Sequence, residues 1–94
     1  MQVLGRHLLE NFKRQHPQAR KSLDAWLQEA IEAKWTQWAD IKARYPSADW
    51  LSGNRVVFNI KGNDYRLLVL VTFSCGVVKV ERVGTHADYD KWKL

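Results

Sequence analysis

The stretch Arg55-Val56-Val57-Phe58-Asn59-Ile60-Lys61-Gly62-Asn63-Asp64-Tyr65-Arg66-Leu67-Leu68-Val69-Leu70-Val71 decides the fold class. Val56, Phe58 and Ile60 alternate with Arg55, Val57 and Asn59, the period of a strand with two unlike faces. Lys61-Gly62-Asn63-Asp64 has the composition of a tight turn, because glycine and asparagine tolerate the positive φ that short hairpins need. Tyr65 to Phe73 is almost continuously apolar, which predicts a central strand covered on both sides. With Gly62-Asn63 as a two-residue turn, Ile60 opposes Tyr65 and Asn59 opposes Arg66. Val56, Phe58, Ile60, Tyr65, Leu67, Val69 and Val71 then share the face that meets the helices. The other face carries Arg55, Asn59, Lys61 and Arg66, with Leu68 and Leu70 further along. A slip of one residue would exchange the two faces, so the assignment rests on the turn.

Outward from this hairpin, Ser74-Cys75-Gly76 turns the chain into a third strand, Val77 to Val83, and Gln2-Val3-Leu4 is a candidate fourth. The N-terminal half changes period. Leu8, Leu9 and Phe12 form a short helical stripe within Arg6 to Gln15, which His16-Pro17 ends; proline lacks an N–H and constrains the residue before it. The same proline suits the first turn of the next helix. Leu23, Trp26, Leu27, Ala30, Ile31, Trp35 and Trp38 then recur at the spacing of one buried face, with the stem of Lys34 lying along it. Thr36 is a candidate N-cap for a restart, and Tyr45-Pro46-Ser47 is a stop. Helices followed by a meander predict an α+β fold: two to three N-terminal helices on one face of a three- to four-stranded, mainly antiparallel sheet. Ninety-four residues hold one such domain, spanning 1–94.

Hydrophobic residues at 46% and charged ones at 27% describe a folded protein rather than a disordered chain. Fifteen Lys and Arg against ten Asp and Glu give a net charge of +5, which favours polyanionic partners. The single cysteine, Cys75, excludes an internal disulfide and any CxxC metal or redox pair, and reads as a free thiol in a reducing, cytoplasmic setting. No signal peptide and no membrane-length apolar run are visible, so no membrane partner is expected.

Gly84-Thr85-His86-Ala87-Asp88-Tyr89-Asp90-Lys91-Trp92 follows the third strand and should emerge near the hairpin end that holds Arg66. Tyr89 falls on the same side as His86 if the stretch is helical. A histidine, a tyrosine and arginines around a polyanion can cleave RNA without a metal or cofactor. One group takes the 2′-OH proton, another protonates the departing 5′-oxygen, and a guanidinium stabilises charge on the phosphorus. The plainer reading is structural, with Thr85 capping a turn and His86 packed or capping beside it.

The hairpin Asn59-Ile60-Lys61-Gly62-Asn63-Asp64-Tyr65-Arg66, joined to Gly84-Thr85-His86-Ala87-Asp88-Tyr89-Asp90, resembles the HigB toxins of bacterial type II toxin–antitoxin systems. The likeness is strongest over residues 45 to 92. It implies a RelE-like mRNA interferase that cuts mRNA in the ribosomal A site and is neutralised by a helix-turn-helix antitoxin, HigA. Carried over by position, it implies Arg66, His86 and Tyr89 as catalytic residues, with Asn59, Lys61 and Asn63 lining the hairpin; Arg55 and Arg82 are further candidates for RNA contact. Arg66 suits transition-state charge stabilisation. His86 suits acid or base duty, and Tyr89 either donates to the leaving oxygen or stacks on a base. The chain departs from the family pattern at Glu81, where an arginine is expected and Arg82 follows one step later. Arg82 takes that place only if the Ser74-Cys75-Gly76 turn moves the register by one.

Trp26, Trp35 and Trp38 are expected in the core. Trp50 is expected in a loop, and Trp92 either covers Leu68 and Leu70 or meets a partner. His7 and His16 read as solvated or capping. Arg6, Lys13, Arg14, Arg20 and Lys21 form a basic cluster that is either a solvated face or a surface for rRNA or an acidic antitoxin. The alternatives to an interferase are a non-catalytic RNA- or ribosome-binding module and a protein-interaction module.

Overall fold

The computed structural model describes residues 1–94. In chain order the elements are β1 (Gln2–Leu4), α1 (Arg6–Gln15), a 3₁₀ turn at Pro17–Ala19, α2 (Arg20–Glu32), α3 (Trp38–Arg44), β2 (Asp49–Leu51), β3 (Arg55–Ile60), β4 (Tyr65–Thr72), β5 (Val77–Thr85) and α4 (His86–Lys91). The five strands form one sheet in the order β1-β5-β4-β3-β2. β1 runs parallel to β5, and the other neighbours are antiparallel. The expected α+β architecture is present, with one strand more than the sequence reading held: Trp50 pairs with Val56 in β2 and does not lie in a loop.

The hairpin has the expected register, Ile60 opposite Tyr65 and Asn59 opposite Arg66. Its turn is built differently. Lys61 and Gly62 hold the positive φ angles, 53° and 65°, and the Asp64 N–H donates to the Lys61 carbonyl at 3.2 Å. Because the pairing is unchanged, the face assignment holds. Val56, Phe58, Ile60, Tyr65, Leu67, Val69 and Val71 join Val78 and Val80 in the core against the helices. Phe58 is its centre, with Trp26 edge-on at 5.4 Å, Tyr45 edge-on at 5.0 Å and Trp35 stacked at 6.3 Å.

The tryptophan stripe is broken between two helices. Ala33 leaves α2 in an extended conformation, so Trp35 is buried from the connecting segment and Trp38 begins α3. Trp38 is half-buried, and its ring lies 5.2 Å from that of Trp50. Thr36 is not the N-cap, which is Gln37; instead its N–H and hydroxyl donate to the Asp40 carboxylate at 2.9 and 3.1 Å. These bonds hold the Asp40 carboxyl below the usual carboxylate range. At the Tyr45 stop the hydroxyl donates to Glu29, tying the end of α3 to α2; burial and that carboxylate push the phenol above its ordinary value.

Two contacts fix α1. Gly5 caps it at φ 77°, and a Cβ there would lie 2.5 Å from the Val80 carbonyl oxygen, so β5 and the helix start meet through a bare glycine. Lys13 is buried, and its Nζ lies 2.6 Å from both Asp24 on α2 and Glu10 on its own helix. Lys13 thus belongs to the helix packing rather than to a solvated basic face. No helix is long and apolar enough to cross a membrane.

Candidate active site

The site begins with an irregularity in β5. Val80 pairs with Val69, but Leu68 pairs with Arg82, so Glu81 is one residue too many in the ladder. Such a bulge reverses the side on which each later residue projects. Arg82 and Gly84 therefore fall on the face of Arg66 and Leu68, opposite the core. The register shift that the Arg82 assignment required is real, and it lies inside the strand rather than at the Ser74–Gly76 turn. Its signature is legible in the spacing of the valines: Val78 and Val80 alternate, and the next inward valine is Val83, not residue 82.

Arg66 sits on β4 beside the hairpin turn. It is 8% exposed, and its Nη1 donates to the carbonyls of Asn63 at 2.8 Å and Tyr65 at 3.2 Å. Its other nitrogens have no bonding partner within the protein, and no carboxylate pairs with it. The contrast with Lys13, the other buried cation, is direct: Lys13 has two carboxylates and Arg66 none. Buried charges are ordinarily paired, because desolvation without a counter-charge costs several kcal/mol.

α4 brings the other groups to the same end. The His86 N–H donates to the Asp64 carbonyl at 3.0 Å, fastening the helix start to the hairpin turn. Thr85 and Asp88 form a reciprocal capping box: the Asp88 N–H donates to the Thr85 hydroxyl at 3.1 Å, and the Thr85 N–H to the Asp88 carboxylate at 3.0 Å. The Thr85 N–H bond is the main reason the Asp88 carboxyl lies below its ordinary range. So the structural reading of Thr85 holds, and that cap is what presents His86 and Tyr89. Gly84 lets α4 approach closely, since a Cβ there would come within 2.8 Å of the Trp92 ring and 2.9 Å of the Asp88 Cβ.

The Arg66 guanidinium lies over the Tyr89 ring, 5.4 Å from its centre. Tyr89 meets Trp92 edge-to-face at 5.6 Å, and the Arg82 guanidinium lies 5.6 Å over Trp92. Two aromatic rings in edge-to-face contact are thus flanked by a cation at each end, at α4 and its C-cap. His86 is exposed one turn before Tyr89, with its Nδ1 3.6 Å from Asp90. Asp90 was not singled out from sequence, although its i,i+4 spacing from His86 is the signal for it. His16 caps α1, one of the two roles its sequence position offered: its N–H donates to the Phe12 carbonyl at 2.8 Å, and its ring stacks on Phe12 at 4.3 Å and meets Tyr65 edge-on at 5.9 Å.

The remaining candidates divide. Asn63 contributes its backbone carbonyl to Arg66. Asn59 is on the Arg66 face but reaches toward the Ser47 carbonyl, at 3.5 Å, and Lys61 is exposed in the turn. Arg55 shares the face but stands at the far end of β3, with its Nε donating to the Ser52 carbonyl at 3.0 Å. The structure brings together Arg66, Tyr89 and Arg82, fixes His86 beside the hairpin, and leaves Arg55 apart. Trp92 stands against Gly84 and Arg82 at the edge of the sheet, and Leu70 stays partly exposed.

The chain is similar to known proteins. The family described as HigB toxin, RelE-like toxic component of a toxin-antitoxin system, matches residues 19–92. Among curated proteins, the mRNA interferase toxin HigB of Escherichia coli (strain K12) is 26% identical over 92 residues, covering 96% of this chain and 88% of its own length. The mRNA interferases HigB of Escherichia coli O157:H7 and Shigella flexneri match to the same extent. With the family model matching most of its length, the chain belongs to the HigB family of RelE-like toxins.

Proposed function

We propose that the protein is the toxin of a toxin–antitoxin pair and acts as an mRNA interferase, an endoribonuclease that stops translation by cutting messages. The observation that carries this reading is Arg66, a desolvated guanidinium with no counter-charge, facing Tyr89 and close to the tether of His86. A phosphodiester laid on this face completes the pairing of Arg66. The 2′-oxygen then attacks the adjacent phosphorus, the bond from phosphorus to the 5′-oxygen breaks, and a 2′,3′-cyclic phosphate and a free 5′-hydroxyl form. His86 carries one of the two proton transfers, off the 2′-OH or onto the departing 5′-oxygen, water completes the other, and Arg66 stabilises the additional negative charge of the transition state. Arg82, Lys61 and Asn59 guide the backbone, and Arg55 contacts a more distant phosphate.

The natural substrate on this reading is mRNA engaged by the ribosome, and the neutralising partner is a HigA-type helix-turn-helix antitoxin. The test is induction of the wild type, Arg66→Ala and His86→Ala in growing cells, with primer extension on a translated message. The wild type should halt growth and leave discrete breaks, while both variants are folded and tolerated. A variant as toxic as the wild type overturns the assignment of that residue. A non-toxic wild type that still binds RNA favours a recognition module instead. Co-expression of the reading frame beside this one, if it encodes a helix-turn-helix protein, should restore growth.

A further inference from the structure

The bulge has a second result, on the other side of Trp92. Between α1 and the bulged stretch of β5 lies an open groove of about 400 Å³, walled by Phe12 and Trp92 and lined with the polar groups of Asn11, Gln15, Glu81 and Arg82. None of those four side chains makes a hydrogen bond or ion pair within the protein; Arg82 only lies over Trp92. Asn11 and Gln15 are one turn apart on the same side of α1, so both amides face the groove. Aromatic walls with unsatisfied hydrogen-bonding groups are the make-up of a pocket for an unstacked nucleobase. The groove joins the candidate active site through the contact of Trp92 with Tyr89.

We infer that this groove binds a guanine base of the RNA next to the cleavage site, with Glu81 as the residue that reads it. The choice of base follows from the carboxylate. Two acceptor oxygens side by side match two adjacent donors, and only guanine presents a pair on its Watson–Crick edge, N1–H beside N2–H₂. Cytosine and adenine set a ring-nitrogen acceptor beside their amino group, and uracil flanks its single N–H with carbonyls, so each places a lone pair against the carboxylate. The Asn11 and Gln15 amides are left to donate to the O6 and N7 acceptors. On this account the departure at Glu81 from the expected arginine exchanges a phosphate contact for a base contact. The inference rests on the interferase reading for its substrate.

The test uses the full chain and four labelled 2′-O-methyl pentanucleotides, A-A-N-A-A, in which N is each base in turn. These cannot be cut by 2′-OH attack, and fluorescence anisotropy gives their Kd. The guanine oligonucleotide should bind about tenfold tighter than the other three, and Glu81→Gln should bring all four within about twofold of one another. Gln15→Ala, on an exposed helix position, should reduce the preference while leaving Tm unchanged. Equal binding of all four by the wild type, or a guanine preference that survives both substitutions, overturns the inference. Base-indifferent cleavage of ordinary RNA defeats this inference and leaves the interferase standing. Guanine preference without cleavage does the reverse.

Discussion

An arginine buried beside two carbonyls and an aromatic ring has given up hydration without gaining a carboxylate. Its side chain therefore opposes stability in the free protein while preparing it to receive a phosphate. Arg66→Met should abolish cleavage and raise folding stability by about 1 kcal/mol, read from urea denaturation midpoints, because an unpaired charge is replaced by a side chain that tolerates burial. Tyr89 holds that arginine with its ring, and its hydroxyl has no partner in the protein. Tyr89→Phe should keep cleavage rates close to the wild type, whereas Tyr89→Ala should lower kcat/KM about tenfold through loss of the ring that positions the cation. If the phenylalanine variant instead loses about a hundredfold, the hydroxyl is the proton donor to the leaving oxygen.

At the scale of elements, α4 is six residues long and depends on its cap and on Gly84 for its place. Short helices are not stable alone. Asp88 titrates below its ordinary value of 3.8 in the folded chain. The cap therefore contributes fully above that value and is lost as pH falls through and below it. Protection of the His86 to Tyr89 amides, measured as exchange relative to the intrinsic rate at each pH, should fall on acidification below about pH 4, and in Asp88→Ala it should be low at every pH. Gly84→Ala places a methyl group against Trp92 and Asp88, so α4 must shift. The substitution should destabilise by about 1–3 kcal/mol, seen as a lower Tm, and should reduce cleavage more than it reduces RNA affinity. The valine spacing marks the bulge in β5, but a ladder count from one chain has no independent anchor until the pairing of Leu68 with Arg82 is seen.

For the whole molecule, the net charge of +5 makes association with RNA a salt-dependent event. If Arg66, Arg82 and Lys61 engage three phosphates, log Kd for a non-cleavable single strand should rise with log salt at a slope of about 2. The slope should fall by about 0.7 in Arg82→Gln, and Arg55→Gln should change it less, since Arg55 stands at the far end of β3. A slope near zero, measured by anisotropy across a salt series, would show that the basic face does not carry the contact.

The hairpin, the helix preceding Pro17 and the identity of the inward-facing residues were determined by local chemistry: alternation, turn composition and a proline fix them within a few residues of each position. The early end of α2, the pairing of Trp50 in β2 and the folding of α4 over Gly84 each depend on neighbours distant in sequence, and single-residue preferences carry no information about those. The same holds for the site. The resemblance to the HigB toxins nominated Arg66, His86 and Tyr89, but whether Arg66 had a counter-charge, which side Arg82 occupied and that Asn11 and Gln15 line one groove with Glu81 were decided by the fold. Charge pairing and strand facing are properties of through-space distance, and only the packed chain sets those distances.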